Sequence, residues 1–165
     1  MDQTLRNLDV GSLKAGTHLP LLLSAILEST GPVLEIGCGH CSTPLLHAVC
    51  GMLERELWSV ESDPGWLDLF SSRYAGSGHH FAAEPPAMRE RWGAVLIDQS
   101  PGSDRINSIL SLVDHADYLI VHDVQAEDVM GPIRPHLVTL RHWIDDRYDV
   151  HAMILSRDYD LPKVI

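Results

Sequence analysis

The chain is short of positive charge. Lys and Arg number 12 against 23 Asp and Glu, a formal net charge of -11 over 165 residues. Non-specific nucleic-acid binding needs a basic footprint, so a nucleic-acid partner is not expected. Cysteine is scarce: Cys38, Cys41 and Cys50 are an odd set that cannot all pair. A disulfide framework is therefore not expected, and a reducing, cytoplasmic setting is the default. Long apolar runs are also missing. The longest, residues 19–27, falls well short of the ~20 residues a membrane span needs, so no membrane partner is expected. Residues 1–16 alternate polar and apolar side chains with Asp2 and Asp9 among them, unlike a secretory leader. No internal repeat or low-complexity tract is present.

What remains is an ordinary globular composition, 45% hydrophobic and 21% charged, with ten His. The length predicts one domain over residues 1–165. Short apolar runs predict strands at residues 32–36, 57–60, 80–83, 92–97, 117–121 and 148–155, with a short seventh at 161–165. Between them, helical spacing predicts helices at 17–29, 42–53, 64–74, 104–115 and 132–146. Thr17 would cap the first, and Asp63 before Pro64 would cap the third. In the last, Ile133, Leu137, Leu140 and Ile144 repeat on one face. Strands that alternate with helices imply an α/β fold: a doubly wound, mostly parallel sheet of six to seven strands with helices on both faces. In such sheets ligands bind at the carboxyl ends of the strands. Glu35, Glu61, Glu84, Asp98, His122 and Asp123 all lie at such ends.

The segment VLEIGCGHCSTP, from Val33 to Pro44, carries the most information. A strand runs into Gly37-Cys38-Gly39, and a helix begins near Ser42. The glycines permit a tight turn and close backbone approach to a ligand. The helix N-terminus offers free N–H groups to a carboxylate or phosphate. Glu61 ends the next strand, where an acid can accept both hydroxyls of a ribose. A dinucleotide G-x-G-x-x-G is incomplete here, because Ser42 occupies the third glycine position.

The stretch E-I-G-C-G resembles the first motif of class I S-adenosylmethionine-dependent methyltransferases. Glu61 in SVESD resembles their second motif, and WGAVLIDQSP and DYLIVHD resemble the two strands that follow, over roughly residues 17–160. The resemblance implies S-adenosyl-L-methionine as cofactor. Gly37, Cys38 and Gly39 would pass under its methionine part, with Glu35 near the methionine end. Glu61 would hold the ribose, Glu84 would meet the adenine amino group, and Asp98 would lie beside the sulfonium and the substrate.

Some small-molecule O-methyltransferases of this family hold Mg²⁺ with acids from the positions of Asp98 and Asp123. Either Mg²⁺ joins that pair, or Asp98 is polar lining and Asp123 caps the next helix; Gln99, Asp104 and Gln125 are candidate third ligands. His122 is a candidate general base, since imidazole titrates near neutrality. Arg105 reads as a helix-start residue facing water, and His79-His80 as an exposed loop pair. Cys38, His40 and Cys41 form C-x-H-C, but no second ligand pair accompanies them for zinc. Ser100 lacks a G-x-S-x-G elbow.

The expected function is methyl transfer to a small-molecule acceptor, a hydroxyl in preference to nitrogen, because the place after the fourth strand reads DQSPG instead of an Asn/Asp-Pro-Pro-aromatic run. Two rivals stand beside it: a non-catalytic S-adenosylmethionine-binding module, and a nicotinamide-dependent oxidoreductase. The acceptor's identity and the oligomeric state are not legible.

Overall fold

The computed structural model describes residues 16–87 and 91–164. Seven strands form one sheet: β1 (Val33–Ile36), β2 (Leu57–Val60), β3 (His79–Ala82), β4 (Trp92–Ile97), β5 (Ala116–His122), β6 (Arg141–Asp145) and β7 (Ala152–Ser156). Their order is β3-β2-β1-β4-β5-β7-β6. The first five are parallel, and β7 runs antiparallel to both β5 and β6. The helices are α1 (Leu19–Glu28), α2 (Ser42–Met52), α3 (Pro64–Tyr74), α4 (Arg105–Leu112) and α5 (Glu127–Ile133). The fold class read from the sequence is the one observed.

Both faces of the central strands are covered, and successive side chains alternate between them. Val33, Leu57, Ala94, Leu96 and Ile120 pack with α1 and α2 through Leu21, Leu46 and their neighbours. Leu34, Val95, Leu119 and Val121 pack on the other side with Ile109 of α4 and Ile133 of α5. Burial of each such Leu, Ile or Val is worth roughly 1.5–3 kcal/mol. Asp63 caps α3 as expected, accepting a hydrogen bond of 2.9 Å from the Trp66 amide.

The chain winds outward from β1 to β3 and returns to β4 on the other flank of β1. That reversal is the switch point of the sheet, where two carboxyl ends part and leave a crevice. In register, Ile36 lies opposite Ile97, so the turns after β1 and β4 sit side by side.

Three expected elements differ. Residues 132–146 are not one helix: α5 stops at Ile133, a 3-10 turn covers Arg134–Thr139, and β6 follows. Pro132 and Pro135 each remove an N–H donor and crowd the preceding turn, which ends a helix. The helical spacing of Ile133, Leu137, Leu140 and Ile144 is real, since all four meet the same core, but they reach it from three different elements. Residues 161–164 form no strand; Leu161 and Val164 pack on the core as coil, and Ile165 lies outside the described residues. Thr17 does not cap α1: His18 occupies the cap position without a side-chain bond, and Thr17 points elsewhere. None of the three cysteines forms a disulfide. Among the described residues, no helix is long and apolar enough to cross a membrane.

Candidate functional site

A cleft of about 640 Å³ opens at the switch point, lined by Gly37, Cys38, Glu61, Asp63, Asp98 and Asp104 among others. Gly37 makes the turn possible in two ways. Its φ is +95°, and a Cβ there would lie 2.6 Å from the Asp98 carbonyl oxygen. Only glycine allows both the dihedral and the close approach of the two loops. Gly39 is less constrained; a Cβ would meet only the Ser42 hydroxyl, at 3.1 Å.

Glu61 ends β2 and turns into this cleft. Its Oε2 accepts from the Cys38 amide at 3.1 Å and its Oε1 from the Asp63 amide at 2.8 Å. Two main-chain N–H groups fix the carboxylate, and each oxygen keeps a further lone pair for a ligand hydroxyl. Burial, with Glu35 and Glu61 nearby, pushes the Cys38 thiol far up, so the thiol stays protonated.

Glu35 sits elsewhere. It is 0% exposed and points from β1 toward the start of α2. The Thr43 hydroxyl lies 3.0 Å from both carboxylate oxygens, and the Ser59 hydroxyl donates to Oε2 at 2.6 Å. Burial raises its pKa from 4.5 to about 7 despite these bonds. Thr43 in turn accepts from the Gly39 amide at 3.0 Å. Glu35 thus braces the glycine loop from beneath and does not line the cleft. Glu84 is exposed and also outside the lining, which at that corner is Ala83 and Pro85.

Of Asp98, His122 and Asp123, only Asp98 lines the cleft. The two carboxylates are joined by Arg105, which is 5% exposed and not a surface residue facing water. One terminal nitrogen lies 3.1 Å from Asp98 Oδ1 and 3.2 Å from Asp123 Oδ2. The guanidinium also donates to the carbonyls of Gln99 and His122. Asp123 reaches this position with φ +57°, a left-handed conformation that Asp tolerates better than most residues. His122 is buried; its Nδ1 is 3.1 Å from Asp98 Oδ1 and its Nε2 is 3.1 Å from the Thr17 hydroxyl. Burial pushes the Asp98 carboxyl up, but the His122 bond and the charges of His122, His18 and Arg105 outweigh it and hold it below its ordinary value. His18 packs edge-on against His122, ring centroids 4.5 Å apart. Burial and His122 push its pKa down to about 4.

His79 is not an exposed loop residue. It is buried in β3, with Nε2 3.0 Å from the Ser59 hydroxyl and Nδ1 3.1 Å from His47 Nδ1. Strand pairing with β2 sets Leu57 opposite His79 and brings its ring under the sheet. Among the described residues, Cys38, His40 and Cys41 do not gather three ligand atoms; His40 lies against Trp66 and Phe70 instead.

No protein-family model and no curated protein sequence matches the chain. Solved structures do. A Podospora anserina methyltransferase, PaMTH1 with S-adenosylhomocysteine bound, superposes with a TM-score of 0.64 at 12% identity, covering 92% of this chain and 84% of that one. The plantazolicin methyltransferase BpumL, solved with a pentazolic analog and S-adenosylhomocysteine, gives 0.61 at 9% identity over 92% and 87%. A ribosomal protein L11 methylase from Lactobacillus delbrueckii subsp. bulgaricus gives 0.61 at 9% identity over 87% and 79%. The chain has the fold of class I S-adenosylmethionine-dependent methyltransferases.

The cleft has the size and the polar groups of a small-molecule site. Its volume lies within the ~300–1,000 Å³ of small-molecule sites. The Gly37 turn leaves no room for a Cβ, and Glu61 offers a fixed carboxylate with spare lone pairs. Mg²⁺ between Asp98 and Asp123 does not fit. The place between these two carboxylates is taken by Arg105, within 3.2 Å of both. Of the candidate third ligands, Gln99 and Gln125 are committed to Ser108 and the His151 amide, and Asp104 lines the cleft. Nothing in the sequence pattern marks Arg105 or His18 as part of this cluster: Arg105 is near Asp98 along the chain but meets Asp123 and the His122 carbonyl only across the sheet edge, and His18 is far from both Asp98 and His122 in sequence.

Proposed function

We propose that the protein binds S-adenosyl-L-methionine in the cleft after β1, β2 and β4 and transfers its methyl group to a small-molecule hydroxyl. The observation that carries this is the Glu61 carboxylate, held by two main-chain N–H groups beside the Gly37–Cys38 turn. A rigid carboxylate at that edge is suited to the adjacent hydroxyls of a ribose, at low cost in ordering. Val60, Ala83 and Pro85 offer the apolar lining an adenine ring needs.

When bound, the cofactor supplies an electrophilic methyl on a cationic sulfur. The protein's part is then chiefly proximity and orientation of the acceptor. Asp98 is the anionic group of the cleft held ionised by neighbours behind it, so it can accept a hydrogen bond from an acceptor hydroxyl. His122 acts through Asp98 as a positioning residue. The structural neighbours are named for different acceptors, plantazolicin in one and ribosomal protein L11 in another, so the fold leaves the acceptor open.

Glu61→Ala tests the reading. The variant should keep its fold by circular dichroism and lose about 1.5–3 kcal/mol of S-adenosylhomocysteine affinity by calorimetry, as for hydrogen bonds to a charged group. Unchanged affinity removes the assignment. Binding without turnover on hydroxyl, nitrogen or thiol acceptors selects the non-catalytic module.

A further inference from the structure

A second centre lies behind Asp98, away from the cleft. His18, at the start of α1, is 1% exposed, and neither of its ring nitrogens has a hydrogen-bond partner among the described residues. Every neutral imidazole carries one N–H donor and one lone pair. Burying both without partners is unfavourable, and native structures rarely do it without an occupant. Around this ring stand His122, from the end of β5, and Asp98, from the turn after β4. One ligand atom from each of the three lies within 4.8 Å of the other two. Among the described residues it is the one such group of His, Cys, Asp or Glu.

We infer that His18, Asp98 and His122 bind a divalent transition-metal ion of the zinc or iron(II) class. The donor set decides the class. Two imidazoles with one carboxylate suit Zn²⁺, Fe²⁺ or Co²⁺, whereas Mg²⁺ wants oxygen throughout. The spacing agrees. Ligand atoms about 2.1 Å from a tetrahedral ion stand roughly 3.4 Å apart; His122 Nδ1 is 3.1 Å from Asp98 Oδ1, and the His18 atom lies within 4.8 Å of both. Charge agrees as well. Arg105 stands within 3.2 Å of both Asp98 and Asp123, so one guanidinium faces two carboxylates and one negative charge is left over. Thr17 stands beside His122 Nε2 at 3.1 Å, and three protein ligands leave a coordination position open. The three ligands come from one helix start and two strand ends, so the site is formed by the fold and not by a loop.

The test uses the untagged full chain, stripped with chelator. Titration with Zn²⁺ by calorimetry should show one site, and Co²⁺ should give an absorption spectrum characteristic of nitrogen and oxygen ligands. Mg²⁺ at the same concentration should not compete. His18→Leu, which fills the space with an apolar side chain, should weaken Zn²⁺ at least tenfold and abolish the Co²⁺ spectrum. His122→Asn should do the same if either variant is too unstable to measure. No Zn²⁺ binding by the wild-type chain, or wild-type affinity in both variants, overturns the proposal. The proposal does not rest on the cofactor reading. S-adenosylhomocysteine titrated into the same samples separates the two, since Zn²⁺ binding lost on His18→Leu supports the metal site whether or not S-adenosylhomocysteine binds.

Discussion

Replacing Glu35 by Gln should stabilise the protein, and by more as the pH rises. The carboxyl is fully buried, and burial lifts its pKa from 4.5 to about 7 against the bonds from Ser42, Ser59 and Thr43. Between those two values the folded protein holds a proton that the unfolded chain has released. Its contribution to stability is complete below pH 4.5 and is lost as the pH passes about 7. At ~1.36 kcal/mol per pH unit, the loss across that window is about 3 kcal/mol. Gln carries no charge at either end of the range, so this slope disappears. Its carbonyl oxygen can still accept from Ser59 and Thr43. Its amide group brings new donors, whose fit sets a constant offset of about 1 kcal/mol in either direction. The pH dependence of the difference is therefore the quantity to read. Buried groups such as His79, whose pKa falls from 6.5 to about 4 on burial, have the opposite sign. Their contribution is present above pH 6.5 and lost toward 4, and it is common to both proteins. Urea unfolding followed by circular dichroism at pH 5, 6, 7 and 8 would measure the difference. It should be small at pH 5 and grow by about 2–3 kcal/mol in favour of Glu35→Gln by pH 8. A difference that stays constant with pH would show that Glu35 is not the buried acid described above.

Gly37→Ala should lower stability by at least ~1–3 kcal/mol, from the φ of +95° alone, with the contact to the Asp98 carbonyl adding to it. Gly39→Ala, with only the Ser42 hydroxyl in the way, should cost clearly less. Paired thermal melts check this, and equal melting temperatures would refute it. Arg105→Met should cost about 3 kcal/mol, the lower end for a broken buried pair, because Asp123 is partly exposed. Adding Asp123→Asn to Arg105→Met should restore part of that stability in denaturant unfolding; further loss would mean that repulsion between Asp98 and Asp123 is not what the guanidinium relieves.

Much of the architecture is local, and so was legible from composition and order. WGAVLI is an unbroken apolar run, and PVLEI and LWSV are each broken by one polar residue, because their strands are covered on both faces; a run of that kind announces itself. Gly37 and Glu61 were readable for the same reason: a strand end, a turn and the next strand end are close in sequence. The last third of the fold was not. Ile133, Leu137, Leu140 and Ile144 keep a helical period because one core selects them, while Pro132 and Pro135 forbid the helix; the pattern reports burial and the prolines report backbone, and the two conflicted.

The polar cluster shows where sequence ends more sharply. Asp98 and His122 are legible as neighbouring strand ends, but His18 and Arg105 have no readable relation to them until β4 and β5 pair and α1 packs beside the sheet. Thr17 and His122 are 105 residues apart and 3.1 Å distant. Whether Asp98 meets Mg²⁺, a solvent proton or an arginine depends on which charge the crossover helix α4 carries to it, and a histidine is loop or core according to the strand it pairs with. Hydrophobic patterning is periodic and survives in one dimension. Charge pairing and ligand geometry involve single atoms from distant segments, and only the packed chain decides them.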